Sequence, residues 1–495
     1  MFAACILSFG IGFLLLGQEV LWLRLFGFAN HSLPQSYIYV MSIYLLGVGA
    51  GAIFGGVLCR RDKNLWENSG FVLLLASLAG LLAPWFYAYT ANTEYQILFG
   101  TCAMLLMASL NAVLFPIVYH LGVPPEGPYV GRATGLVYLI YIIGAALGPL
   151  IAGYIMLDAM TTQDCFAVCA ELTFVLSMFC FRDDFQPAMM IVGSAFAAMI
   201  LGFVVASENT EMMGLAAANA GNIHRIIENR YGVLVTYDGG MRGDAVYEGN
   251  VYAGRTSIDP IINSNFIDRT LIMAALQDHP ENVLMLGLSI GSGLKLVTTF
   301  PGVKKIDVVE VNPGYLDAIT DYPQLQAGLI DSRVHLHIDG GRRWLRNHPE
   351  QKYDLIIVNR TGLLSREFLL MLKQHMQENA VLTFNYGESV HVLKTAKTIF
   401  LYAYPYEGFI IAADFDWRDK MRDPASMKKL GDLNFDGKLI FPPGSDVFIA
   451  KYLHYPQDLS DPQTSTAEII TDRNLLTEFK QGKNLFTPLP IAPGK

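Results

Sequence analysis

Apolar positions are distributed in two ways along these 495 residues. Up to about residue 206 they run in long blocks, near 3–27, 36–58, 69–90, 95–120, 134–157, 165–181 and 187–206. Beyond residue 222 they come instead as short alternating stretches and compact runs such as VLMLGL (283–288), separated by glycine, asparagine and charge. A hydrocarbon core about 30 Å thick needs roughly 20 apolar residues per spanning helix. The first pattern therefore predicts about seven membrane spans. The sixth block is the shortest and holds Glu171, so six spans with one shallow segment is an alternative. The first block is too long, and its flank too poor in positive charge, for a cleaved signal peptide. It reads as a permanent anchor.

The second pattern predicts an α/β domain. VLMLGL ends in glycine as a buried parallel strand does, and IDVVEV, RVHLHID and YDLIIVN repeat the form at domain-like intervals. Ahead of it, YGVLVTYDGGMRGDAVYEGNVYAG places tight-turn sites at Asp238-Gly239-Gly240 and Glu248-Gly249-Asn250 between short strands. The expected organisation is a transmembrane domain over 1–206, a linker over 207–222, a small β-hairpin layer over 223–265, a Rossmann-like domain over 266–455 and a tail over 456–495. The tail is rich in Pro, Asp and Gln and has loop character.

Composition agrees with this division. The hydrophobic fraction is 52%, only 16% of residues are charged, and the mean hydropathy of +0.35 is too high for an ordinary soluble chain of this length. Basic residues before 207 are confined to Arg24, Arg60, Arg61, Lys63, Arg132 and Arg182. All but Arg24 lie in alternate loops, which places the amino terminus inside. Seven spans would then carry the α/β domain outside the cell membrane, and six would return it to the cytoplasm, where adenosine cofactors are made. Both arrangements stay open at this stage.

All six cysteines (Cys5, Cys59, Cys102, Cys165, Cys169, Cys180) lie in or beside the apolar blocks. The α/β part thus has no disulfide framework, and the ten histidines form no spaced cluster that predicts a metal centre. Nothing points to a nucleic-acid partner. Within the first block GQEVLWLRLFG puts Glu19 and Arg24 in or at the margin of the bilayer, where an ionisable group is costly unless paired or wet. One reading is an interhelical pair, with Glu19 bonded through a group such as Asn111. Small residues in GVGAGAIFGG (47–56) and IIGAALGPLIAG (142–153) predict close helix packing.

Candidate chemistry gathers at the strand ends. The loop GLSIGSG offers Gly287, Gly291 and Gly293, which permit positive φ and close ligand approach, with Ser289 between them. Their spacing is not that of a dinucleotide fold and suits a ligand without a pyrophosphate. Glu310 ends the second strand near the distance at which an acid meets ribose hydroxyls, followed by Asn312. Asp339, with Gly340 beside it, ends the third strand and is placed to hold an adenine amino group, and Asn359 ends the fourth over the same crevice.

With these motifs in view the α/β half resembles the spermidine synthase (polyamine aminopropyltransferase) family. The resemblance runs through VLMLGLSIGSG, IDVVEVNPGYLDAI, DSRVHLHIDGGRRWLR, YDLIIVN and TDRNLLTEF. The whole chain resembles bacterial proteins in which such a domain is fused to a multi-span segment, through EVLWLRLFG and VGRATGLVYLIYIIGAALGPLIAG. The fold this implies is a multi-span α-helical membrane domain followed by a class I methyltransferase-like α/β Rossmann domain with a β-hairpin layer. The ligand implied is S-adenosylmethionine or its decarboxylated form, held at Gly287, Gly291, Gly293, Glu310 and Asp339. In the family an aspartate-rich D-S-S-D-P loop after the fourth strand binds the amine and helps remove its proton. Here that place reads Asn359-Arg360-Thr361-Gly362, so both acids are absent. The family's Tyr-Gln pair corresponds to Tyr231-Gly232, and Asp268 stands where its Tyr-His-Glu segment has glutamate. Asn359, Asp268 and Tyr386 are the catalytic candidates, and Tyr231 and Arg360 the substrate-binding ones.

Three function classes follow. One is a membrane-bound transferase acting on an amine or a membrane-associated acceptor. The second is a degenerate synthase domain that senses a nucleoside or polyamine, and the third a transporter with the α/β half as regulator. Expected partners are the nucleoside, a polyamine and the lipid bilayer, with a homodimer as one assembly the reading allows.

Overall fold

The computed structural model describes residues 1–61, 64–123, 126, 128–181, 193, 211–218, 221–359, 364–435, 437–456 and 465–474. Among the described residues two compact units emerge: Met1–Val235 with Glu248–Val251, and Thr236–Tyr247 with the described part of Tyr252–Lys483.

The first unit is built on helices α1 (Phe2–Ala29), α2 (Pro34–Arg61), α3 (Leu65–Thr90), α4 (Gln96–Ala112), α5 (Leu114–Gly122), α6 (Val130–Ile151), α7 (Leu157–Ala159) and α8 (Thr162–Cys180). A one-residue break at Val113 separates α4 from α5, and a π-helical stretch at Ala152–Met156 joins α6 to α7. Taken with these joins, six helices among the described residues are long and apolar enough to cross a membrane. The expected seventh block at 187–206 lies outside the described residues apart from Gly193.

Small residues do what their spacing predicted. A β-carbon on Gly144 or Gly148 of α6 would collide with the Phe9 or Phe13 carbonyl of α1, and one on Gly51 or Gly55 of α2 with the Ser109 or Val113 carbonyl. These helices touch along their backbones. The expected bond between Asn111 and Glu19 is not made. Asn111 Nδ2 donates instead to Gln18 Oε1 at 3.2 Å and to the Met107 carbonyl at 3.0 Å. Successive helical positions diverge by about 100°, so burying Gln18 against α4 carries Glu19 to a different face.

Four short strands, β1 (Ile223–Asn229), β2 (Gly232–Tyr237), β3 (Ala245–Glu248) and β4 (Val251–Arg255), follow one another in one sheet. At Gly249 and Asn250 φ is 56° and 64°, the left-handed pair that a two-residue hairpin demands. The turn expected at Asp238–Gly240 is a longer loop. It contains a 3₁₀ turn at Gly240–Arg242 and is closed by Gly239 N donating to Asp244 Oδ1 at 3.1 Å.

The second unit carries β5 (Asn282–Leu286), β6 (Lys305–Glu310), β7 (Val334–Ile338), β8 (Tyr353–Val358), β9 (Met376–Asn385), β10 (Tyr402–Tyr406) and β11 (Phe409–Ala413). They form one sheet in the order β10-β11-β9-β8-β5-β6-β7. Strands β5 to β9 run parallel, and β11 and β10 are added antiparallel. The chain moves outward from β5 to β6 and β7, then returns to β8 on the other side. Leu286 is in register with both Val309 and Val358, so the carboxyl ends of β5, β6 and β8 open together at the point where the order reverses. Such a switch point leaves a crevice. One core cluster joins Leu284, Leu286, Val358, Phe384 and Ile410 to Ile470. The last of these comes from the segment read as a tail: Arg366 N donates to the Ile470 carbonyl at 2.8 Å, and Asp472 accepts both Arg342 Nη atoms at 2.9 Å.

Asp307 staples the sheet from within. This carboxylate, 1% exposed, accepts from Lys305 Nζ and Tyr353 Oη at 2.8 Å each and lies 3.1 Å from His337 Nε2. Burial alone would raise its carboxyl, but the bonds from Lys305, His337 and Tyr353 outweigh that and hold it below the usual carboxylate range. A carboxyl depressed by folding stabilises above its unfolded pKa of about 3.9 and loses that contribution as pH falls. Asp307→Asn is expected to cost about 1.5–3 kcal/mol at pH 7 and less at pH 3, as read from urea unfolding at both values.

Candidate nucleoside site at the strand ends

The loop after β5 is shaped by three left-handed residues, Gly287 (φ 92°), Ser289 (53°) and Gly291 (83°). Two of these were expected of glycine. The third falls on a serine, at a cost of order 1 kcal/mol, and Gly293 has no positive φ because it already lies in the helix Ser292–Val297. Its missing side chain serves packing: a β-carbon there would sit 3.4 Å from Met285 Cε and 3.7 Å from Thr270 Oγ1. The serines tie the loop to β4. Ser289 Oγ donates to the Ala253 carbonyl at 3.1 Å and Ser292 Oγ to the Arg255 carbonyl at 2.9 Å, while Asn265 Oδ1 accepts from Arg255 N at 2.7 Å.

Glu310 sits at the end of β6 and is 1% exposed. Its Oε2 accepts from Leu288 N at 2.7 Å and its Oε1 from Asn312 N at 2.8 Å. The carboxylate is thereby aimed before any ligand arrives, and each oxygen has further lone-pair capacity. Asn359 Nδ2 donates to the Gly287 carbonyl at 2.7 Å, tying the end of β8 to the same loop. Asp339 accepts from Gly340 N at 2.6 Å and from Arg343 Nε, with its own amide on the Glu310 carbonyl at 3.0 Å. Gly287, Glu310, Asp339 and Asn359 thus meet at one edge. Asn312 is buried beside it, and its Oδ1 accepts from Gly314 N at 3.0 Å at the start of the following helix.

Asp268 opens the helix Asp268–Leu276, whose Thr270 abuts Gly293 in the helix that follows the loop. It is 5% exposed, and its Oδ1 has no hydrogen-bond partner. Burial pushes its carboxyl up and nearby Glu407 adds to this, against hydrogen bonds from Asn263 and the Arg269 amide. The phenols of Tyr406 and Tyr452 are raised by burial first and by Asp268 next. Arg269 lies over the Phe409 ring at 4.3 Å. A buried carboxylate with a spare oxygen among phenols is a cation receptor or a proton acceptor.

Sequence reasoning passed over Glu407. It sits with Gly408 at left-handed φ values of 46° and 76° in the β10–β11 turn, and the signal was an acid in a two-residue hairpin turn between apolar strands. Tyr386 follows β9 at the same sheet edge, half-buried against the core, its phenol raised by burial and then by Glu388. Tyr231 belongs to the first unit, where its phenol accepts from Arg230 Nη2 at 3.0 Å. Arg360, with Thr361 and Gly362, lies outside the described residues. Among the described residues no three His, Cys, Asp or Glu side chains gather as metal ligands.

With this geometry in hand, residues 268–399 match the spermine/spermidine synthase domain. The polyamine aminopropyltransferase of Streptococcus uberis is 29% identical over 134 residues, covering 25% of this chain and 47% of that protein. That of Alkaliphilus oremlandii is 31% identical over 138 residues, covering 26% and 48%. The chain thus spans about half the length of these relatives. Spermidine synthase in complex with the transition-state analogue AdoDATO aligns with a TM-score of 0.37 and 17% identity over 44% of this chain and 80% of that one. The Thermotoga maritima enzyme gives 0.37 and 16% over the same shares.

Proposed function

We propose that this protein, whose α/β half is spermidine synthase-like, transfers an aminopropyl group from decarboxylated S-adenosylmethionine to an amine, and that its helical half holds it in a membrane. The observation that carries the reading is Asp268. Its unpartnered, buried carboxylate oxygen, near Glu407, Tyr406 and Tyr452, supplies the acid that Asn359-Arg360-Thr361-Gly362 lacks. Glu310 takes the ribose hydroxyls, Asp339 the adenine amino group, and the glycine loop passes the sulfonium.

The donor supplies a carbon activated by its bond to positive sulfur. The acceptor nitrogen bonds to that carbon as the carbon–sulfur bond breaks, the electron pair stays on the sulfur of methylthioadenosine, and the nitrogen's proton passes to Asp268. Burial makes Asp268 a stronger base than an ordinary carboxylate, and Glu407 adds negative charge that favours a cationic amine. Asn359 cannot take a proton, and its bond to the Gly287 carbonyl at 2.7 Å supports a scaffold role. The test is methylthioadenosine release by the detergent-purified full chain with decarboxylated S-adenosylmethionine and a panel of amines. Binding of the nucleoside without turnover of any amine would favour the sensory alternative, which the missing loop acids support.

For the membrane, six apolar helices support insertion; with the basic loops after the second and fourth blocks inside, an even number of crossings keeps the α/β half inside as well, the arrangement that cofactor supply favours. A reporter active only outside the cytoplasm, fused after Lys495, is expected to stay silent. Activity there would mean an odd number of crossings and an external ligand supply.

A further inference from the structure

Within the first unit a cavity of about 250 Å³ opens where α1 ends and α2 begins. Arg24, Ser32, Ser36, Tyr37, Tyr231 and Gly249 line it, with Leu23, Phe28 and Val233 as apolar wall. Its polar chemistry is one-sided. Arg24 Nη2 donates to the Asn229 and Gly232 carbonyls at 2.6 Å each, and Ser32 Oγ donates to the Gly249 carbonyl at 3.0 Å. Those acceptors are therefore already engaged. Two polar atoms of the cavity's lining residues are buried without a partner and can donate: Arg24 Nε and the hydroxyl of Ser36, which is 2% exposed. Ser36 stands in the first turn of the long helix α2, which carries no acid and whose dipole favours negative charge, and Arg24 reaches the cavity from the last turns of α1. Glu228, whose charge acts on Arg24, is held by Thr162 N at 3.0 Å and by the Thr162 hydroxyl.

We infer that this cavity binds the phosphate of an anionic amphiphile, with Arg24 and Ser36 as its donors. The apolar wall, and Tyr37 and Ile38 exposed along the start of α2, suit an ester carrying an acyl body, so a phospholipid headgroup is the source favoured over free phosphate. That choice of source rests on the membrane reading above; the anion site does not, and neither depends on the transferase reading.

The test uses the full chain in a neutral detergent and follows its thermal midpoint against short-chain phosphatidylglycerol, the phosphate-free diacylglycerol of equal chain length, and inorganic phosphate. Phosphatidylglycerol is expected to raise the midpoint saturably, and Ser36→Ala to weaken its apparent affinity about tenfold, the loss of roughly one hydrogen bond to a charged group. Arg24→Gln should abolish the response; because it also frees two carbonyls and can compromise folding, Ser36→Leu, which fills the cavity and leaves Arg24 in place, serves as the second variant and should abolish it too. An equal response to the diacylglycerol, or an undiminished response in both Ser36 variants, overturns the proposal. Inorganic phosphate matching the lipid with the same Ser36 dependence supports the anion site and overturns the lipid source.

Discussion

Asp268→Asn is expected to leave a folded protein that binds its nucleoside and turns over amine 10²- to 10⁴-fold more slowly, the range that a positioned base contributes. The substitution keeps the shape of the side chain and removes only its ability to accept a proton and carry charge. Because folding raises this carboxyl, its sign in stability is opposite to that of Asp307. A raised acid contributes stability below its unfolded pKa and loses it as pH rises through the folded value. Asn at this position should therefore hold or raise the thermal midpoint at pH 8 while kcat falls. In the unmodified protein the acid limb of kcat/KM should report the raised carboxyl, and the limb should vanish in the variant. Unchanged turnover with an unchanged pH profile would remove Asp268 from the mechanism. Glu407→Gln offers a graded comparison: relieved of a negative neighbour, Asp268 becomes easier to ionise, and the acid limb should move to lower pH.

Glu310→Ala is the second large effect. Two ribose hydroxyls bonded to a carboxylate contribute about 1.5–3 kcal/mol each, so loss of both predicts nucleoside affinity weaker by about 10²-fold or more. The amides of Leu288 and Asn312 would also lose their acceptor, and the glycine loop would relax with them. Calorimetry with decarboxylated S-adenosylmethionine and methylthioadenosine reads the affinity, and urea unfolding reads the loop's share. Comparable losses for both ligands place the effect on the shared nucleoside. Undiminished binding in a folded variant would refute the ribose assignment.

Much of this was readable from residue patterns alone. Parallel strands buried on both faces are continuous apolar runs, so β5, β6 and β8 declared themselves, and the acids at their ends followed from where such strands stop. The packing glycines of α2 and α6 were equally plain, since only small residues let helix backbones touch. What the pattern hid were properties that belong to three-dimensional neighbours. Ser289 adopts a glycine-like backbone because β4 holds its hydroxyl, and β4 lies far back in sequence. The bond from the Asn359 amide to the Gly287 carbonyl joins two loops 72 residues apart, which no local pattern announces. Glu407 reads as a turn residue until the helix bearing Asp268 is set near it. Asn111 chose Gln18 over Glu19 because helix rotation, invisible in hydropathy, decides which of two adjacent polar groups faces inward.

The segment that carries Ile470 and Asp472 has a consequence for how the protein is made. Leu284, in the first strand of the large sheet, shares a core cluster with Ile470, and the cap residue Ser365 and Arg342 both close on Asp472. During synthesis every strand of that sheet, and helix residues such as Trp344, Phe368 and Leu393 of the same cluster, leave the ribosome before Ile470. The cluster thus stays one member short for as long as it takes to make the last strand and the stretch beyond it, and contacts this distant in sequence form slowly. Slow translation between residues 413 and 474 would lengthen that interval without altering a single contact in the finished fold.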